Sequence, residues 1–308
     1  MWDRNQKTLK NTISFEGIGL HSGMESKVTL EPTQSGTGVV FKRVDLNKNN
    51  EIVANFKNVS SAKLCTKIQN NFGASVSTIE HLMAAFYICG VDNVIVNIDG
   101  PEVPIMDGSA KDFVNMIENC GLKSLDEKRK FLKIIKKVSL KEKVRSISVE
   151  PTENTLNVDF TLNYENPLIR TQSNNTNFQG QDLEDIYSAR TFCLYEDVEK
   201  IKEIGLAQGG SLKNAVVIQG NKVLNKEGLR CKKEFVNHKI LDLAGDFMLA
   251  GMRVIGSVKC IHGGHELTNN FLRKVFSDKT NFIVTENPNS SSNIRKVVTI
   301  QKRLVVNA

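Results

Sequence analysis

Five histidines occur in the 308 residues, and their neighbours make them candidates for metal or acid–base chemistry. Glu80 and His81 are adjacent, His238 and Asp242 are four residues apart, and His262 and His265 flank two glycines. On a helix, positions i and i+4 share one face, so His238 and Asp242 would offer two ligands from a single rigid support. Two histidines and a carboxylate, with one position left open, form a known ligand set for catalytic zinc. The third ligand must come from elsewhere in the chain, and His81 is the candidate. Taken singly, each feature has a plainer reading. A His-x-x-x-Asp pair is commonly a surface contact, and Glu80 in a first helical turn already has a capping and dipole role. His265 could simply open a helix, and His21 could be a satisfied strand histidine.

The elements that must position these residues follow from periodicity and punctuation. The N-terminal runs TISFEGIGLHSG, SKVTLEPT and GVVFKRVD read as strands between turn residues. SVSTIEHLMAAFYICG reads as a helix with Ser77 or Thr78 as N-cap and Gly90 as its stop. An alternating strand, VDNVIVNID, a Pro/Gly loop and an amphipathic helix ending at Gly121 come next. The charged run 125–130 is the expected linker, which divides the chain into residues 1–127 and 128–308. The second part is strand-rich at first and carries a short helix or turn at QDLEDIYSARTF. EFVNHKILDLAGDFMLAG then reads as a helix, MRVIGSVKCI as a strand, and ELTNNFLRKVFS as a helix after the HGGH loop. Both parts thus run helix, strand, Gly-containing loop, helix, which predicts an α+β fold of two similar units, each a sheet backed by helices. The polar stretch 287–293 reads as a connection to a strand-like tail.

Composition limits the function classes. Residues 1–127 hold 12 Lys/Arg and 15 Asp/Glu, whereas residues 128–308 hold 29 and 19, so the positive charge sits in the second part. Such a surface suits nucleic acid, an anionic membrane or a phosphorylated ligand, when it is more than solvated lysines. Aromatic residues make up only 6% and do not interleave with arginine, which argues against single-stranded nucleic acid. No apolar run approaches the roughly 20 residues of a membrane span, and the polar start lacks an export signal, so a cytoplasmic protein is expected. The six cysteines form no CxxC pair, and free thiols rather than a cysteine-rich zinc site are expected.

Read together with their flanks, the motifs become specific. STIEHLMAA, DNVIVNIDGPEVPIMDGSAKDFV, SARTF, GLRCKKEFVNHKILDLAGD and the GGH loop occur in this order. From about Thr8 to Phe276 the chain closely resembles the UDP-3-O-acyl-N-acetylglucosamine deacetylases of Gram-negative bacteria, enzymes of lipid A synthesis. The resemblance implies two βααβ-type units packed as a layered sandwich, each with a small insert. It also implies a catalytic Zn2+, with Fe2+ an alternative suited to the same ligands, held by His81, His238 and Asp242. It puts Glu80 in the place of the general base and His265 in that of the general acid, oriented and charged by Asp246. Thr191 matches the hydroxyl beside the amide carbonyl, Phe192 a residue lining the substrate site, and Lys239 one facing substrate phosphate. Asp159 and Phe160 match the uracil region. The segment 196–217, with Ala207, matches an insert forming an apolar passage for the acyl chain. The family commonly has lysine where this chain has His262, which implies a weaker, pH-dependent phosphate contact there.

The implied partner is therefore a UDP-linked, acylated amino sugar, with neither nucleic acid nor stable membrane insertion, and its diphosphate gives the basic second part a use. Two other classes compete: a non-catalytic protein with a structural metal or none, and a nucleic-acid-binding domain. A structural zinc site usually has four protein ligands, often thiolates, rather than three beside a carboxylate base. Nucleic-acid binding would show as salt-dependent retention on DNA.

Overall fold

The computed structural model describes residues 4–179 and 182–289. The strand-like tail expected after residue 293 lies outside the described residues. The first half builds a five-stranded sheet in the order Ile13–Ile18, Glu25–Pro32, Val94–Ile98, Val39–Arg43, Glu51–Val53. It is antiparallel except between Val94–Ile98 and Val39–Arg43. Period-two alternation decides which side is core: Val28 and Leu30 point inward from one strand and Val94, Val96 and Ile98 from the next. The second half builds a seven-stranded sheet around the strand Arg253–Ile261. That strand pairs with Arg145–Glu150, with Phe131–Ile134 and with Leu156–Asn163. Each half also carries a small three-stranded sheet, one holding Lys67–Gln69 and the other holding Val216–Gln219.

Six α-helices complete the described fold: α1 (Glu80–Cys89), α2 (Lys111–Cys120), α3 (Glu184–Tyr187), α4 (Tyr195–Glu203), α5 (Glu234–Met248) and α6 (His265–Ser277). Helix α2 lies on the first sheet, with Phe113 against Phe15 at 5.3 Å between ring centroids. Helices α5 and α6 lie on the second sheet. Helix α1 packs along α5, so both are enclosed: Glu80 to Tyr87 are buried, as is every residue of α5 except Lys239. One continuous apolar cluster draws on both halves.

The crossing of α1 and α5 is close because α5 presents Gly245 there. A Cβ at that position would lie 2.1 Å from the Glu80 carbonyl oxygen, well inside van der Waals contact. The other end of α1 is held by arginines of the second half. Arg253 donates to the Tyr87 carbonyl at 2.7 Å, and Arg129, bound to Asp92, donates to the Gly90 carbonyl at 2.9 Å. Cations at a helix C-terminus satisfy its open carbonyls and complement its dipole.

Two sequence expectations are corrected here. Ser77 and Thr78 do not cap α1, which starts at Glu80 without a side-chain cap. Their hydroxyls turn outward to the neighbouring loop, Ser77 to the Pro101 carbonyl and Thr78 to the Glu102 carboxylate, and so tie the Pro/Gly loop to the helix entry. The expected linker at 125–130 overlaps the strand Leu122–Lys128, which pairs antiparallel with Asn5–Leu9. The strand Leu122–Lys128 is largely exposed, so it carries charged residues and leaves no apolar alternation to read. All six cysteines are free, as expected. Among the described residues no helix is long and apolar enough to cross a membrane.

Replacing Gly245 by Ala should force the two helices apart at the Glu80 carbonyl. Overpacking of this kind costs about 1–3 kcal/mol, so the thermal midpoint should drop by several degrees. Gly264→Ala, where a Cβ would meet nothing within 4 Å, should leave it unchanged.

Candidate active site

The N-terminus of α1 brings Glu80 and His81 to the face of α5 that carries His238, Asp242 and Asp246, while α6 begins with His265. All six side chains are buried. Ligand atoms of His81, His238 and Asp242 lie within 4.8 Å of one another. His81 Nε2 is 3.6 Å and His238 Nε2 is 3.4 Å from Asp242 Oδ1. The His238 ring is fixed by Nδ1, which lies 3.0 Å from the Ala189 carbonyl and donates to it, leaving Nε2 free of its proton and turned to the carboxylate. His21 Nε2, His81 Nδ1 and Asp242 Oδ1 are buried without a hydrogen-bond partner. An orphaned carboxylate oxygen between two imidazole nitrogens is an arrangement that a cation would satisfy, so this trio fits a metal ion.

The protonation states agree with that fit. Burial pushes His238 down to about 3, keeping it neutral as a ligand must be. Asp242 resists the desolvation that favours its neutral form, because His238, Lys239 and His265 hold it well below the usual carboxylate range. The two groups beside the trio are driven toward proton transfer. Burial raises Glu80 above an ordinary glutamate, against the opposing pull of His265 and His81. For His265 burial acts downward, but the Asp246, Glu80 and Asp242 carboxylates outweigh it and push the imidazole up to about 10. His265 is therefore a cation at neutral pH. Its Nδ1 is held by Asp246 Oδ2 at 2.9 Å, and its Nε2 lies 3.7 Å from Glu80 Oε1. A raised carboxylate and a protonated imidazole, 3.7 Å apart beside the His–His–Asp trio, can take and give a proton.

This polar pocket adjoins an apolar cavity of about 320 Å³, and Leu20, His21, Leu64 and Thr191 line both. Thr191 is pinned at the junction by its own N–H, which donates to the Gly108 carbonyl at 2.7 Å, and by its carbonyl, which accepts from Val216. Phe192 stands beside it, edge-on to Phe235 at 4.9 Å and to His238 at 6.3 Å between centroids. The cavity walls come largely from α4, through Val198 and Ile201, and from the loop that carries Ala207. That loop is moored to the hairpin at 19–23: Ala207 N–H donates to His21 Nδ1 at 3.3 Å, and Gln208 N–H to the His21 carbonyl at 3.2 Å. Leu64, Thr78 and Ala207 all carry left-handed backbone, φ 65°, 56° and 53°. Such strain persists where surrounding contacts enforce it, and it gathers at working sites.

Of the other expected residues, Lys239 lines the polar pocket, whereas His262, Asp159 and Phe160 do not. Lys239 donates to Asp242 Oδ2 at 2.9 Å, so part of its charge is already committed, and it lies 5.5 Å over the Phe192 ring. His262 is half-buried with φ 52°, its ring 5.8 Å from Tyr164, which itself contacts Phe192. Asp159 and Phe160, adjacent on one strand, point to opposite faces. Phe160 is buried beneath the Gly263 turn, and neither lines the polar pocket. Sequence reasoning missed Thr66, the Ala189 carbonyl and the buried Arg190–Glu234 pair. That pair, at 2.8 Å, sets the chain just ahead of Thr191. The Ala189 carbonyl and the Thr66 N–H act through backbone atoms, which carry no side-chain signature, and the Thr66 hydroxyl meets Asp246 180 residues away, so no local residue pattern announced either.

With this geometry in place, comparison with known proteins gives one answer. Residues 6–277 match the family model described as LpxC, UDP-3-O-acyl N-acetylglycosamine deacetylase. A UDP-3-O-acyl-N-acetylglucosamine deacetylase of Geotalea uraniireducens (strain Rf4) is 47% identical over 273 residues, 88% of each chain. One of Blochmanniella floridana is 39% identical over 284 residues, 91% of this chain and 95% of its own. One of Aliivibrio fischeri (strain ATCC 700601 / ES114) is 38% identical over 277 residues, 89% and 90% of the two chains. A family model and relatives that span most of the chain, joined to a buried His–His–Asp trio with Glu80 and His265 beside it, lead to a single assignment: the chain belongs to the UDP-3-O-acyl N-acetylglycosamine deacetylase family.

Proposed function

We propose that this chain removes the N-acetyl group from a UDP-linked 3-O-acyl-N-acetylglucosamine, an early step of lipid A synthesis, releasing acetate and a free 2-amino sugar. The observation that carries the reading is the polar trio with Glu80 and His265 beside it, adjoining an apolar cavity of acyl-chain character. His81, His238 and Asp242 would hold Zn2+, with Fe2+ compatible with the same donors. When bound, such an ion is a Lewis acid that acidifies water and polarises an amide carbonyl. Glu80 takes the proton of the attacking water, and its burial-raised basicity suits that task. The Thr191 hydroxyl, at the junction of pocket and cavity, stabilises charge on the carbonyl oxygen, a contribution typically about 3 kcal/mol. His265 gives its proton to the nitrogen as the C–N bond breaks, and Asp246 keeps it charged until then. Phe192 packs against the sugar, Ala207 against the acyl chain, and Lys239 and His262 face the diphosphate, with Asp159 and Phe160 toward the uracil. In this reading residues 1–127 and 128–308 are similar layered units, supported by their matching inventory of one large sheet, one small sheet and two long helices.

The direct experiment is metal analysis of the purified protein with a deacetylation assay before and after chelation. One ion per chain, with activity lost on chelation and restored by zinc, is expected. His81→Ala, His238→Ala and Asp242→Ala should each lower metal content, and full occupancy in all three would refute the ligand set.

Glu80→Gln should keep the metal and lose most turnover. Asp246→Asn removes the leading charge that raises His265, so the imidazole should lose its proton at lower pH. The alkaline limb of the kcat profile should then move to lower pH; an unmoved limb would separate His265 from that proton.

Bulky substitutions at Ala207, on the cavity wall, should penalise long-chain substrates more than short ones. An equal effect at every chain length would place the acyl chain elsewhere.

A further inference from the structure

Thr66 lies in the turn between the strands Val59–Ser61 and Lys67–Gln69, is buried, and reaches Glu80 directly and His265 through Asp246. Its N–H donates to Glu80 Oε2 at 3.0 Å, and its hydroxyl donates to Asp246 Oδ1 at 2.7 Å. Its carbonyl accepts the Ile79 N–H at 3.4 Å, just ahead of α1. Asp246 uses its other oxygen to hold His265 Nδ1 at 2.9 Å. A continuous hydrogen-bonded path therefore runs Glu80–Thr66–Asp246–His265 and crosses from α1 to α5 to α6.

We propose that Thr66 is a positioning residue that fixes the general base and the general acid in one register. The proposal rests on the acid–base roles assigned above. A carboxylate held at a single oxygen can rotate about its Cβ–Cγ bond and tilt whatever it orients. Holding both Asp246 oxygens, one by Thr66 and one by His265, removes that freedom. The same residue braces Glu80 through a backbone amide that no side-chain replacement removes, so base and acid are aligned through one short loop. Turnover depends steeply on such alignment, because reacting groups displaced by about 1 Å can lose 100-fold in rate. The hydroxyl also satisfies a buried carboxylate oxygen that would otherwise go unpaired.

The test uses the metal-loaded enzyme and the UDP-linked acylated sugar. Thr66→Val removes the hydroxyl and keeps the shape and the amide, whereas Thr66→Ser keeps the hydroxyl. Thr66→Val should lower kcat about 10- to 100-fold, with KM and metal content within about two-fold of the parent. Thr66→Ser should recover kcat to within about three-fold. In an Asp246→Asn background, Thr66→Val should cost less than about two-fold more, because the hydroxyl acts through that carboxylate. Near-native kcat in Thr66→Val would overturn the proposal. So would a loss that Ser fails to rescue, a loss that tracks metal content, or full additivity with Asp246→Asn. Should Thr66→Val not fold, Thr66→Ala takes its place in every comparison, and failure of both to fold makes the role structural and refutes positioning. Absence of turnover in the unaltered, metal-loaded chain would instead refute the deacetylase reading itself.

Discussion

The contact between α1 and α5 at Gly245 is the constraint on which the rest depends. Helix α1 belongs to the first half and α5 to the second, and the cluster of ionisable groups exists only where they meet. A side chain at Gly245 would collide with the Glu80 backbone, so its absence sets how near Glu80 and His81 come to Asp242. The two long helices are almost wholly buried, which leaves little freedom to slide, and Arg253 and Arg129 hold the far end of α1 from the second half. Position along the helix axis is thereby set at one end by cations and at the other by a close backbone approach.

Enclosing charge this deeply is unfavourable unless every group has a partner. Glu80, Asp242 and His265 share one small buried space, and their environments shift them in different directions. Burial acts on all of them, yet Asp242 stays far on the ionised side because three basic groups face it, while Glu80 is driven upward. His265 becomes a stronger base because carboxylates surround it. His238 has no such excess of anions and stays neutral. One burial effect therefore yields a neutral imidazole, an ionised carboxylate, a raised carboxyl and a charged imidazole, distinguished by which neighbours each side chain meets.

The apolar cavity is placed by a different kind of contact. Backbone hydrogen bonds from the Ala207–Gly209 loop to the 19–23 hairpin join this loop of the second half to the first. Glu102 in turn fixes that hairpin by accepting from the His21 and Ser22 N–H groups at 2.9 and 2.6 Å. The apolar cavity and the polar pocket thus share one hydrogen-bonded frame, and four residues border both spaces.

How much of this was legible in the sequence depends on the range of the interaction. The helices bearing Glu80–His81 and His238–Asp242 follow from periodicity, and the i, i+4 spacing of His238 and Asp242 places both on one face without any tertiary information. Strands with one buried face declared themselves by alternation, whereas the exposed strand Leu122–Lys128 was read as a linker because no face of it is apolar. Ser77 and Thr78 looked like caps because short hydroxyl side chains favour that role; the fold turns them to Pro101 and Glu102 instead, which are distant in sequence. Residue types and spacing supplied the candidate ligands, and the family resemblance supplied the expected base and acid. Only the tertiary structure decided that His81 meets Asp242, that Thr66 bridges Glu80 and Asp246, and that a backbone carbonyl orients His238. Those contacts join segments up to 180 residues apart, and several run through backbone atoms that every residue shares, so packing settles them and composition cannot.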